Sequence, residues 1–210
     1  MVREKKPRIA YWLNNSLYLN ITNSCSNDCW FCIRNFKQGV GDFNLKLEKE
    51  PTITELKIEL VKCLALRRWG EVVFCGFGEP TARLDVLLEI ASWIRGRCGV
   101  SVPIRVDTNG HCYMLNKGRD VVGELHDAGV SKVSVSLNGH DEASYTQNCR
   151  PKFDGGFAIV LESIKKAKMA GLDVEVSVVR MPEVDIKRVR AIAESLNVQL
   201  RVREYIPCFW

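Results

Sequence analysis

A chain of 210 residues with 46% hydrophobic and 26% charged side chains has the composition of a folded globular domain, which excludes disordered, collagen-like and fibrous classes. Its formal net charge of +5 is mildly basic, and no apolar run reaches the roughly 20 residues of a membrane-spanning helix or resembles a signal-peptide core. Nine cysteines, an odd number without an export signal, point to reduced thiols and a metal site in the cytoplasm rather than a disulfide framework.

The opening run Arg3-Glu4-Lys5-Lys6-Pro7-Arg8 reads as a solvated terminus, and nothing else in the sequence supports a nucleic-acid patch there. Strand-like runs at 9–13 and 16–22 flank Asn14-Asn15, a dipeptide that tolerates positive φ and suits a hairpin turn. Residues 1–15 are therefore an N-terminal extension and hairpin strand. Directly after the second strand comes Cys25-Ser26-Asn27-Asp28-Cys29-Trp30-Phe31-Cys32, and then an irregular stretch, 33–51, expected to be a loop.

A helix is expected over 52–69, behind the capping box Thr52-x-x-Glu55 and ended by Gly70. The apolar strand 72–75 opens into the turn Gly76-Phe77-Gly78-Glu79-Pro80-Thr81, where Pro80 is expected to block a helix start. Helix 83–95 and strand 104–106 follow, the strand opening into Asp107-Thr108-Asn109-Gly110. Helix 119–127 and strand 132–137 lead to Asn138-Gly139-His140-Asp141. A loop over 141–153, helix 156–170, strand 173–179, helix 184–196 and strand 199–204 complete the chain.

Strands alternating with helices in this way predict an α/β fold built of right-handed βαβ units: a partial (β/α)6 TIM-type barrel with a parallel sheet and an N-terminal β-hairpin. No Pro- or Gly-rich linker splits it, so residues 1–210 are expected to be a single domain. With fewer strands than a closed barrel, one side stays open to a substrate or partner. The polar turns after successive strands fall on the C-terminal edge of the sheet, where parallel α/β folds place their sites.

Three thiols at C-x3-C-x2-C spacing suit a 4Fe-4S cluster, with Cys25, Cys29 and Cys32 as ligands and one iron left open to bind a cofactor or substrate. The alternative is a structural zinc site completed by a distant ligand, in a non-catalytic binding protein. No second cysteine pair stands elsewhere to complete it.

These residues resemble the radical SAM superfamily, whose hallmark is C-x3-C-x2-C after the first barrel strand. The resemblance implies a 4Fe-4S cluster and S-adenosyl-L-methionine as cofactors, the latter cleaved reductively to methionine and a 5'-deoxyadenosyl radical that abstracts hydrogen from an unidentified substrate. It places Phe31 near the adenine. Gly76, Gly78, Glu79 and Pro80 are similar to the family's Gly-Gly-Glu-Pro motif, with Phe77 splitting the glycine pair, and their backbone would hold the cofactor's amino group. Asp107, Thr108 and Asn109 look like a turn in glycyl-radical-enzyme activases that approaches the ribose and methionyl end. Ser136 and Asn138 match ribose or carboxylate contacts, and Arg150 is the candidate for the carboxylate itself. The resemblance from residue 16 onward extends to a small branch, the TatD-linked radical SAM proteins, which has no assigned substrate. A reducing partner such as flavodoxin or ferredoxin is implied. The alternative within the family is an activase that installs a glycyl radical on a partner enzyme.

Other residues carry weaker signals. Cys63, Cys75 and Cys98 are expected to be small core hydrophobes. Cys112, Cys149 and Cys208 lie near the functional rim without ligand spacing of their own. His111 and His140 are expected at the surface or the ribose, and His126 at the end of its helix. Arg201, Arg203 and Glu204 alternate with Leu200 and Val202 on the last strand, so that either an anionic ligand or water meets the charges.

Overall fold

The computed structural model describes residues 6–205. Cys208 and the first half of the opening basic run, Arg3-Glu4-Lys5, lie outside the described residues. In chain order the elements are β1 (Ala10–Leu13), β2 (Ser16–Leu19), β3 (Gly39–Val40), β4 (Phe43–Asn44), α1 (Ile53–Leu66), β5 (Glu71–Phe74), α2 (Leu84–Cys98), β6 (Ile104–Thr108) and α3 (Cys112–Leu115). They continue as α4 (Val121–Asp127), β7 (Lys132–Ser136), α5 (Glu142–Cys149), α6 (Gly156–Met169), β8 (Asp173–Arg180), α7 (Ile186–Ser195) and β9 (Gln199–Glu204).

One seven-stranded sheet runs in the order β1-β2-β5-β6-β7-β8-β9. β1 joins β2 as an antiparallel hairpin, turned at Asn14 with φ 53°, and all later pairings are parallel. The sheet does not close, because β1 and β9 remain as its edges. It is the expected partial barrel with its hairpin.

Period-two alternation gives the sheet two chemically distinct faces. Leu17, Leu19, Val72, Phe74, Ile104, Val106, Val133 and Val176 form one row, packed in a continuous core with Leu60 of α1, Ile90 of α2 and Ile164 of α6. The opposite, inner row is polar: register sets Asp107 beside Ser134, Ser134 beside Glu175, and Ser177 beside Arg201. Here Arg105 binds Glu71 at 3.0 Å and Asp107 at 2.8 Å, and Arg201 lies 3.0 Å from Glu175. A parallel sheet with a charged inner face has a ligand surface rather than a packed barrel core.

Three local expectations are corrected. The stretch 141–153 is no loop: it carries α5, started by an Asp141–Ser144 capping box. The stretch 33–51 holds the β3–β4 hairpin, and it buries Leu45 and Leu47. Pro80 does not block a helix start but sits in the first turn of a 3-10 helix, Pro80–Arg83, where its missing N–H costs nothing.

Candidate active site

The cysteine loop leaves β2 and is held from several sides. Asn20 donates to the Leu45 carbonyl at 2.8 Å and Asn23 to the Leu47 carbonyl at 2.7 Å, strapping the 33–51 stretch along its base. From the other side the 76–80 turn docks through its backbone, with Gly78 N–H donating to Thr22 O at 2.9 Å and Glu79 N–H to Ser24 O at 2.7 Å. Both glycines are required by closeness. A Cβ on Gly76 would lie 2.0 Å from Asn20 Oδ1, and one on Gly78 would lie 2.4 Å from the Ser24 carbonyl. Phe77 splits the pair because its side chain fills a second small core with Tyr11 and Leu45. The carbonyls of residues 76–78 accept no hydrogen bond among the described residues, so they are available to an ammonium group.

Glu79 knots this turn to the next one. Its buried carboxylate accepts from Thr81 N–H at 3.0 Å, Thr81 Oγ1 at 2.7 Å, Thr108 Oγ1 at 2.8 Å and Asn109 N–H at 2.7 Å. Burial pushes its pKa up while these donors pull it down. Asn109 carries the knot to the cysteine loop, donating to Ser26 Oγ at 2.8 Å and approaching Cys25 Sγ at 3.6 Å.

The end of α5 clamps the loop from the third side. Asp28 N–H donates to the Cys149 carbonyl at 3.0 Å, Trp30 Nε1 to Asn148 Oδ1 at 3.0 Å, and Lys152 N–H to Ser26 O at 3.0 Å. Behind it, His111 is fully buried, with Nδ1 3.0 Å from Ser26 Oγ and Nε2 3.0 Å from the Tyr145 hydroxyl. Asn27 Nδ2 donates to that hydroxyl at 3.3 Å. Burial pulls the His111 pKa down to about 4, so the imidazole is neutral near pH 7. This corrects the expectation of a surface or ribose-contacting His111.

The thiols sit in a low-dielectric setting with one cation beside them. Burial pushes Cys25 up to about 11, while Cys29 is raised first by a hydrogen bond with Cys149 and then by burial. Arg34, which sequence reasoning missed, donates to Asn23 O at 2.9 Å, which sets its charge near Cys32, Cys25 and Cys29. Burial works to lower its pKa, and the cysteines outweigh that effect. Its place two residues after the third cysteine was the available signal.

Residues 19–196 match the radical SAM superfamily. The chain belongs to this superfamily. A radical SAM enzyme of this kind uses a 4Fe-4S cluster with S-adenosyl-L-methionine. The chain is 30% identical over 184 residues to a GTP 3',8-cyclase of Staphylococcus aureus, covering 85% of this chain and 49% of the relative. It is 29% identical over 156 residues to a probable GTP 3',8-cyclase of Sulfolobus acidocaldarius, covering 74% and 44%. It thus spans about half the length of the curated relatives it matches. In fold it resembles Streptococcus suis SuiB bound to S-adenosylmethionine, with TM-score 0.71 and 14% identity over 93% of this chain and 41% of that one. A second such likeness is anSMEcpe with bound AdoMet, with TM-score 0.69 and 17% identity over 90% and 49%.

The radical SAM cofactors fit the residues present. Three thiols share one loop with a guanidinium against them, a donor set suited to an anionic iron-sulfur group. Around the loop, Phe31 is half-buried and meets Trp30 edge-on at 5.8 Å. Ser136 is half-buried on the inner row and makes no hydrogen bond through its hydroxyl among the described residues.

Asn138 has its side-chain oxygen committed to the protein. Asn138 Oδ1 accepts from Val179 N–H at 2.9 Å, tying β7 to β8. Arg150 has an exposed side chain and left-handed backbone, φ 47°, and its carbonyl accepts from Asp28 N–H at 3.2 Å. His140 accepts from Asp185 N–H at 3.2 Å, at the start of α7, and exposed His126 stands in the last turn of α4. Of the remaining cysteines, Cys63 is buried in the core as expected and Cys98 is half-buried at the end of α2. Cys75 instead follows the inner row, near Asp107 and Arg203, and burial pushes its thiol up to about 12. Cys112 is buried with Sγ 3.9 Å from Ser163 Oγ, away from the rim. No helix among the described residues is long and apolar enough to cross a membrane.

Proposed function

We propose that the chain binds a 4Fe-4S cluster through Cys25, Cys29 and Cys32 and positions S-adenosyl-L-methionine for hydrogen abstraction from a substrate on the inner face of the sheet. The observation that carries this reading is the junction of three turns, 25–32, 76–80 and 107–110, knit by Glu79 and Asn109 at the C-terminal edge of the parallel strands. When bound and reduced, the cofactors supply a one-electron cleavage to methionine and a 5'-deoxyadenosyl radical. The chain's own contribution is placement: free carbonyls at 76–78 for the amino group, Phe31 for the adenine, and the inner row to keep bulk water from the reacting carbon. Electrons come from a flavodoxin- or ferredoxin-type donor. The test is anaerobic reduction with S-adenosyl-L-methionine, following 5'-deoxyadenosine. Formation that vanishes in Cys29→Ala supports the reading; none from a reduced, iron-loaded protein overturns it.

A second observation supports an anionic substrate. Arg203 reaches solvent on β9, opposite Val179 and two residues beyond Arg201, where the charges of Arg201, Asp107 and Glu175 are felt. Burial lowers its pKa, and Arg201 adds to the effect. Unlike Arg105 and Arg201, it has no hydrogen bond or ion pair among the described residues, leaving its fork of donors for a carboxylate or phosphate. The matched relatives are named for GTP, a ligand with that chemistry. Calorimetry with GTP and with pyrophosphate checks it: binding weakened at least tenfold by Arg203→Ala is expected, and equal affinity in the variant contradicts it.

A further inference from the structure

The turn after β6 reaches the cysteine loop through one side chain, Asn109, and every atom of its amide is placed. Oδ1 accepts from His111 N–H at 3.0 Å, and that partner settles which way the amide faces. Nδ2 is therefore the end turned to the cysteine loop. There it donates to Ser26 Oγ at 2.8 Å and to Cys25 Sγ at 3.6 Å, the longer contact reflecting the larger radius of sulfur. An amide nitrogen carries two hydrogens, and each has its acceptor. The backbone beneath is held as firmly: Asn109 N–H donates to Glu79 Oε2 at 2.7 Å, and Thr108 Oγ1 takes Gly110 N–H at 3.1 Å while donating to Glu79 Oε1 at 2.8 Å. Ser26 is fixed in turn by His111 Nδ1, 3.0 Å from its hydroxyl. The donor facing Cys25 is thus set by the scaffold alone.

We propose that Asn109 is a positioning residue for the cluster: its amide N–H donates to the Cys25 sulfur and so raises the reduction potential of the cluster that this sulfur holds. A sulfur bound to iron is a thiolate, a stronger acceptor than the thiol. Donation draws negative charge from a ligand sulfur. Reduction adds negative charge to the cluster, so the reduced state gains more from the donor than the oxidised state does. The donor is neutral and does not titrate, so it holds the potential without a proton to lose.

The inference rests on the proposed role of Cys25, Cys29 and Cys32 as ligands, and its test separates the two. Wild type, Asn109→Ala and Asn109→Asp are loaded anaerobically, assayed for iron per chain, and titrated for the cluster midpoint by electron paramagnetic resonance. Pulsed spectra in H2O and D2O then read the exchangeable protons coupled to the reduced cluster. The aspartate keeps an oxygen for His111 N–H but loses the donor to Cys25. The expected result is full iron in wild type and the alanine variant, a more negative midpoint in both variants, and loss from both of one proton coupling present in wild type. Coincident midpoints at full loading overturn the inference while leaving the ligand assignment intact. A shifted midpoint with the coupling retained also overturns it, since the shift then comes from a rearranged turn. If the alanine variant does not fold, Asn109→Asp decides by the same two readings. Iron lost from both variants refutes the role as well, because Asn109 would then be needed to build the site and not to set its potential. A wild type that forms no such cluster sinks the ligand reading itself.

Discussion

Acid stability of the apoprotein tests the buried polar chain behind the cysteine loop. His111 has an ordinary value of 6.5 and a folded value of about 4, the lowering caused by burial, with a hydrogen bond toward the Gly156 backbone working the other way. On acidification the unfolded chain takes up this proton first, so between those two values the unfolded state binds more protons and stability falls as pH falls. From neutral pH to about pH 4.5 the loss from this one group is about 2.5 kcal/mol, a substantial share of the roughly 5–15 kcal/mol that holds a domain together. The perturbation is His111→Gln, which keeps polar atoms for Ser26 and Tyr145 but cannot titrate. The assay is anaerobic urea unfolding of both proteins at the two pH values, which subtracts the carboxylates common to both. The wild type should lose about 2.5 kcal/mol more than the variant. Equal losses would refute the claim that a neutral, buried imidazole joins Ser26 to Tyr145.

Two further substitutions probe the loop itself. Gly78→Ala places a Cβ 2.4 Å from the Ser24 carbonyl and 2.6 Å from that of Thr22, so the cysteine loop must shift; a loss of about 1–3 kcal/mol in urea and weaker S-adenosyl-L-methionine binding are expected. Gly96→Ala, where a Cβ meets nothing within 4 Å, serves as the control that stays near wild type. Arg34→Ala removes the cation beside the three thiols and should lower iron retention during desalting, with Arg34→Lys intermediate; full retention in the alanine variant contradicts its assigned electrostatic role.

The sheet was legible because its strands are apolar in alternate positions and the helix after the cysteine loop begins at a recognisable cap, Thr52. The clustering of functional turns followed from topology: parallel strands deliver residues 25–32, 76–80 and 107–110 to one edge whatever their detailed chemistry. What escaped was long-range. α5 offers few apolar positions, Tyr145 and Cys149 chief among them, and Ser144, Thr146 and Asn148 are weak helix formers, so its periodicity is faint. Without α5 as a helix, the one-turn spacing of Tyr145 and Cys149 had no meaning, and the clamp on Asp28 could not be read. Glu79 and Asn138 resembled cofactor contacts by position, but their side-chain oxygens turn out to organise the scaffold. Position along a strand end tells which edge a residue reaches, while its hydrogen-bond partners depend on turns more than twenty residues away.

The central claim is that three cysteines hold a cluster with one iron open to S-adenosyl-L-methionine. The most direct measurement is the electron paramagnetic resonance spectrum of the reduced, anaerobically loaded protein before and after S-adenosyl-L-methionine is added. A 4Fe-4S signal whose g values shift on addition, and which is lost in Cys29→Ala, is the predicted result. A fully loaded protein whose signal is indifferent to S-adenosyl-L-methionine, or one that retains the cluster without Cys29, would contradict it.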